Sequence, residues 1–260
     1  MNKYPFWSYL NISAIDAPLI SVTWYLYFAH KSAENNFNVN YCIILGLSVW
    51  LGYMADRLLD IGFKKEAHFT SLRHQFCKEF KSALWISWAI VLTITVFFSL
   101  YYLNSDKIFV GFIFFLFILL YNLLNQFYSQ LKLPKEIFVS ILFAYGTLFF
   151  VKDPLEINEF IHFVSICFLN CLIISNKDKH VDKLMGVRSL ASTFSHGSIS
   201  VIMVLSSIYY LITFKGIMNP IFTTCLVGTI LHSLSNRIAS DKFIVTTEIF
   251  YILIPLMTLV

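Results

Sequence analysis

SNKDKHVDKLMGVRSLA, Ser175 to Ala191, joins the apolar run Phe160 to Ile174 to another that begins near Ser198. Asp178 and Asp182 lie four residues apart within it, among Lys177, Lys179, Lys183 and Arg188. Residues at i and i+4 share a helix face. Two carboxylates roughly 6 Å apart repel by about 3 kcal/mol at an effective dielectric near 20, so the pair calls for a cation. The spacing recurs in YMADRLLD, where Asp56 and Asp60 close an earlier apolar run. The two D-x-x-x-D pairs start 122 positions apart, and each stands at the end of a hydrophobic segment.

Those segments set the fold class. Of 260 residues, 58% are hydrophobic and only 13% are charged, where a soluble domain averages about 25% charged. Mean hydropathy is +0.71. A membrane-crossing helix needs about 20 residues. Nine apolar segments approach that length, near 9–29, 41–60, 83–103, 108–128, 137–151, 160–174, 197–214, 217–234 and 243–260. The pattern predicts an all-α, polytopic membrane bundle of about nine transmembrane helices. No polar stretch is long enough for a separate domain, so residues 1–260 are expected to form one. The longest polar connection runs from Gly62 to Lys81. Asp16 and Pro18 interrupt the first apolar run, which is too long for a cleaved signal peptide.

Charge placement predicts orientation. With nine spans, 15 of the 19 Lys and Arg fall on the side of the N-terminus and 4 on the other. Basic residues are retained on the cytoplasmic side. The N-terminus and both aspartate pairs are therefore expected to be cytoplasmic, and the C-terminus external. The net charge of +4 does not point to nucleic acid. The five Cys form no C-x-x-C, and four lie in apolar runs, so they read as packing residues rather than disulfides or a zinc site. The seven His show no ligand spacing.

A single aspartate pair at a helix end is explained by interfacial salt bridges. Two pairs on one side favour a shared ligand. Carboxylate oxygens suit Mg²⁺, which takes one or two carboxylates and completes its shell with water and phosphate oxygens. Arg57, Lys177, Lys179 and Arg188 adjoin the pairs, and Lys132 and Lys135 lie in a loop on the same predicted side, so all six could meet further negative charge. Arg offers bidentate phosphate contacts and Lys a point charge. The expected ligand is a diphosphate ester with an apolar remainder, bridged by Mg²⁺ through Asp56, Asp60, Asp178 and Asp182. Aromatic side chains, with 27 Phe and 14 Tyr, mostly face lipid or neighbouring helices in this reading. Asn122, Asn125 and Asn170 read as interhelical hydrogen-bonding groups, with Asn170 also on about the same face as Asp178. Asp16 is expected to meet a basic group or the second substrate.

The two motifs resemble those of the UbiA-type intramembrane prenyltransferases. YMADRLLD looks like the first Asp-rich motif of that family. DKHVDKLMGVRSLA looks like the second, with Gly186, Arg188, Ser189 and Leu190 matching its continuation. Between them, Tyr128, Lys132 and Gly146 stand where the family has a Tyr, basic residues and a Gly. The resemblance covers nearly the whole chain in order and spacing. It implies a nine-helix fold and Mg²⁺-dependent transfer of a prenyl group from a prenyl diphosphate to a lipophilic acceptor. It also implies that Lys132 and Arg188 lie near the diphosphate. Three positions depart from the pattern: Gly52 and Tyr53 stand where the family's first motif opens with Asn and often Asp, and Asp16 lies where it often has a basic residue. Alternative readings are a membrane terpene cyclase, a non-catalytic protein of the same fold, and a transporter. The last is weakly supported, because charge is sparse within the spans.

Overall fold

The structure, a computed structural model, describes residues 4–32, 37–63, 71–127, 135–151, 157–184, 189–214 and 219–259, with backbone alone at 125–127 and 182. The described residues form helices joined by turns, with no strand among them. In chain order the α-helices are α1 (Tyr9–Ile12), α2 (Asp16–Lys31), α3 (Val39–Phe63), α4 (Leu72–Glu79), α5 (Lys81–Tyr102) and α6 (Ser105–Phe127). They continue with α7 (Lys135–Leu148), α8 (Ile157–Lys177), α9 (Lys179–Leu184), α10 (His196–Phe214), α11 (Pro220–Leu234) and α12 (Ser240–Met257).

Each of the nine apolar segments is helical over most of its described length. Five helices are long and apolar enough to cross a membrane: α3, α5, Ser105–Leu124 of α6, α8 and α10. A sixth candidate is the pair Phe6–Ile12 and Asp16–Lys31, bent by 75°. Only 6% of the span window is buried in α5 and in α6, so most of their apolar side chains are wholly or partly exposed. That composition is stable only where the surroundings are apolar. The chain is thus an all-helical protein with several membrane-spanning candidates.

The first apolar run is not one continuous helix. In a helix through Pro18, the proline ring would strike the carbonyl of residue i−4, which is Ala14. The chain instead breaks at Ser13–Ile15, and Ala14 adopts φ 58° in the left-handed region. Pro18 then falls in the first turn of α2, where its missing N–H costs nothing. Asp16 opens that turn, where a carboxylate complements the helix dipole. At α11 the signal is simpler. Asn219 caps the helix by accepting from the Ile221 N–H at 2.9 Å, and Pro220 occupies the first position.

The chain divides into two compact units, Met1–Val22 with Phe37–Leu131, and Thr23–Asn36 with Lys132–Val260. In the first, Ala14, Met54, Leu58, Ile61 and Cys77 form a buried cluster, edged by Trp50, Tyr53, Phe76, Leu84 and Trp88. Trp88 Nε1 donates to the Leu51 carbonyl at 3.0 Å, tying α5 to α3. Asn122 Nδ2 donates to the Gly52 carbonyl at 3.4 Å, tying α6 to α3. Such interhelical bonds are worth about 0.6 kcal/mol each in a bilayer. Asn122 thus has the role expected of it, while the Asn125 side chain lies outside the described residues.

In the second unit, Trp24 and Phe28 meet Phe163 at centroid distances of 4.9 and 5.2 Å. Lys31 pairs with Glu159 at the same end of these helices. Helices α10 and α11 approach closely at Gly228, where an added Cβ would lie 3.2 Å from Met203 Cε. Small polar groups fill the same seam: Ser207 Oγ lies 2.9 Å from Thr229 Oγ1.

Candidate functional site

The first aspartate pair lies on the last turns of α3. Asp56 is half-buried, and Asp60 is buried. The polar segment before α5 contains α4, which returns to pack on α3 and α1. It brings His74 Nε2 to 3.7 Å from Asp60 Oδ2. Ser71 Oγ lies 2.6 Å from His74 Nδ1, so both ring nitrogens face a polar partner. Burial lowers the His74 pKa below its ordinary value, and Arg73 and Arg57 add to this, against the opposing pull of Asp60. The neighbouring Cys77 thiol is pushed up, chiefly by burial.

Arg57, expected beside a diphosphate, is buried. Its Nη1 donates to the Asn11 carbonyl and, at 3.2 Å, to that of Ile12. Trp50 Nε1 donates to the Ser13 carbonyl at 3.0 Å. These carbonyls lie where α1 ends and regular helical partners run out; that of Asn11 also accepts from the Ala14 N–H at 3.0 Å. Asn11 Nδ2 in turn donates to Asp16 Oδ2 at 2.7 Å. Asp16 therefore meets an amide, in contact with an element that Arg57 holds.

The second pair begins at the end of α8. Asp178 is buried, and Oδ1 accepts from Ser240 Oγ at 2.6 Å, at the first residue of α12. Lys177 Nζ donates to the Ser235 carbonyl at 2.7 Å, just beyond α11. Lys179 is exposed, with Nζ 3.5 Å from the Phe194 carbonyl. Asn176 Nδ2 lies 3.2 Å from His196 Nδ1, and the His196 ring meets that of His232 at a tilt of 37° with centroids 4.3 Å apart. The ends of α8 and α11 and the starts of α10 and α12 thus form one polar cluster. The Asp182 side chain, Lys132, Arg188, Tyr128 and Gly186 lie outside the described residues.

Lys135 is half-buried and opens α7. Glu136 beside it is buried; Oε1 faces the Ala191 N–H at 3.5 Å, and among the described residues Oε2 has no hydrogen-bond partner. Ser189 Oγ and Asn170 Oδ1 also lack partners. Sequence reading passed over Ser71, His74, Ser240 and Glu136. For His74 a faint local signal existed, the i, i+3 spacing of Ser71 and His74. For Ser240 there was none, because packing alone brings it to Asp178.

Hard carboxylate oxygens at both motifs have the chemistry that Mg²⁺ requires. Among the described residues, no three His, Cys, Asp or Glu are grouped to hold a metal. No protein-family model, curated protein or solved structure matches this chain.

Proposed function

We propose that this chain is a divergent relative of the UbiA-type enzymes. In this reading it transfers a prenyl group from a prenyl diphosphate to a lipophilic acceptor within the membrane. Its nine apolar helical segments, including the shorter α7 and α11 and, of the first, the α2 part, each cross the bilayer. The 15-to-4 split of Lys and Arg favours a cytoplasmic N-terminus and an external C-terminus. Residues 1–260 act as one functional domain.

The observation that carries the reading is the repeated D-x-x-x-D at helix ends. Asp56, Asp60, Asp178 and Asp182 are the proposed Mg²⁺ ligands. The metal would neutralise the diphosphate and help it leave. Lys132, Lys135, Lys179 and Arg188 are the proposed diphosphate contacts. Lys177 and Arg57 support the site through the helix ends they bind. Glu136 supplies a buried acid whose Oε2 has no partner among the described residues.

A test uses thermal stability of the purified protein in detergent, with and without Mg²⁺ plus a geranylgeranyl diphosphate analogue. A ligand binding only the folded state adds about 2.7 kcal/mol at a hundredfold excess over Kd. Wild type should show a Mg²⁺-dependent gain, and Asp56→Asn and Asp178→Asn should lose it while remaining folded. No gain in wild type with any prenyl diphosphate would sink the assignment.

A second reading, a non-catalytic protein of the same fold, is favoured by Gly52. Its carbonyl is taken by Asn122, and a Cβ there would meet Ile118 at 3.6 Å. Helix α6 thus packs beside the position at which the family carries an Asn.

A further inference from the structure

The exposed side of Phe6–Ile12 is the feature that neither aspartate motif uses. Phe6 is 92% exposed, and Trp7, Tyr9 and Leu10 are exposed beside it. The opposite side of the same segment is fixed. Tyr4 OH donates to Glu79 Oε2 at 2.7 Å, and the Tyr4 ring meets Phe76 edge-on at 5.5 Å. Ser8, Asn11 and Ile12 are buried. Arg57 and Trp50 hold the carbonyls of Asn11, Ile12 and Ser13. The aromatic side chains are therefore displayed by an anchored element.

Its direction and level follow from α3. Gly46 lies against Val22, Trp50 reaches Ser13, and Arg57 reaches Asn11 and Ile12. The start of α2 thus runs antiparallel beside α3, and the segment before it turns away by 75°. It crosses the direction of the spans. Helix α3 has 25 residues, so it is about 37 Å long, more than the hydrocarbon thickness of about 30 Å. At its other end, Tyr41 lies under Lys107 Nζ, 4.4 Å from the ring centroid, a pairing of the kind that marks an interface. About 30 Å from Tyr41 along α3 falls near Asp60 and Ile61. Arg57, one turn earlier, holds the segment close to that boundary. Phe80 and Trp85 are exposed at the adjoining start of α5, with Lys78 and Lys81 exposed among them. Aromatic rings with lysines at one level are the composition of a membrane-interface belt.

We propose that Phe6–Ile12 is an in-plane anchor, with Phe6, Trp7, Tyr9 and Leu10 inserted at the headgroup–acyl boundary of the bilayer. Its partner is the phospholipid interface, and the segment neither spans nor stands free in water. This holds whether or not the chain transfers prenyl groups.

The experiment places a nitroxide label at one site at a time in the full chain in phospholipid vesicles, with Cys42 and Cys171 replaced by Ser. Phe6→Cys and Trp7→Cys are read against Ile90→Cys, exposed in the middle of α5, and Ser105→Cys, exposed at the first residue of α6. Relative collision with oxygen and with a water-soluble nickel complex reports depth. The label at either test site should lie about 5–10 Å inside the headgroup boundary, between the deep Ile90 and aqueous Ser105 references. A label as aqueous as that at Ser105 overturns the anchor, and so does one as deep as that at Ile90. Trp7→Cys keeps the test decisive if Phe6→Cys does not fold.

Discussion

The two aspartate motifs use the same device with different parts. In each, one Asp is buried against a residue from a neighbouring helix, and an adjacent cation binds the end of another helix. At the first, Asp60 meets His74 from α4, and Arg57 binds the carbonyls that end α1. At the second, Asp178 meets Ser240 from α12, and Lys177 binds the Ser235 carbonyl beyond α11. The first site has a titrating partner and a buried guanidinium. The second has a hydroxyl and a half-buried ammonium. Matching sequence spacing therefore sits on different supports, and the supports determine how each site answers to mutation and pH.

The largest expected difference is in the cations. Arg57→Met strips a buried charged donor from the two carbonyls at the end of α1. A loss of about 3 kcal/mol is expected, the order of cost for breaking a buried charged network. Lys177→Met removes one bond from a half-buried group, and about 1–2 kcal/mol is expected. Thermal melts of both variants in detergent check the ranking. Equal losses would remove the contrast between the two supports.

The partners of the acids give a smaller difference that depends on pH. Burial holds the His74 pKa below its ordinary value. Between that lowered value and about 6.5, the unfolded chain binds more protons at this site than the folded one. The contribution of His74 therefore rises with pH through that window, levels off above about 6.5 and falls away in acid. A tenfold difference in proton affinity is worth about 1.4 kcal/mol. His74→Gln should flatten this part of the stability profile in metal-free detergent solution. Ser240→Ala should lower stability without changing its slope there. A His74→Gln profile parallel to wild type would show that the ring does not remain neutral against Asp60.

What the sequence made legible follows from the range of the interactions involved. The length of an apolar run is local, and all nine runs are helical over most of their described length. The aspartate spacing is local too, and it locates Asp56, Asp60 and Asp178 at or near helix ends. The break at Ala14 was half legible: Pro18 was visible, but the 75° turn depends on Arg57 and Trp50, far along the chain. Helix α4 was read as a polar connection because its eight residues carry Arg73, His74 and Lys78 among few apolar side chains. The partners Ser240 and His74 come from packing between elements, which no spacing rule reaches.

The smallest expected effect concerns Gly52, and it asks how tightly the first motif is closed by its neighbour. A Cβ at Gly52 would meet Ile118 Cγ2 at 3.6 Å, an ordinary contact. Glycine inside a helix costs roughly 0.5–1 kcal/mol relative to alanine, so Gly52→Ala should raise stability by up to about that amount. The longer Gly52→Asn side chain would extend past this contact toward Ile118, where α6 already binds the Gly52 carbonyl through Asn122. It should destabilise, because α6 must shift or the side chain must leave its preferred rotamer. The corresponding control is Gly228 in the second unit. There the nearest atom, 3.2 Å from an added Cβ, is the tip of Met203, a flexible group that can move aside. Gly228→Ala should therefore lie close to neutral. If Gly52→Asn were also neutral, α6 would not close the first motif, and an Asn at that place would be compatible with this fold. The packing argument for a non-catalytic relative would then fail, leaving the Mg²⁺–diphosphate reading the stronger of the two.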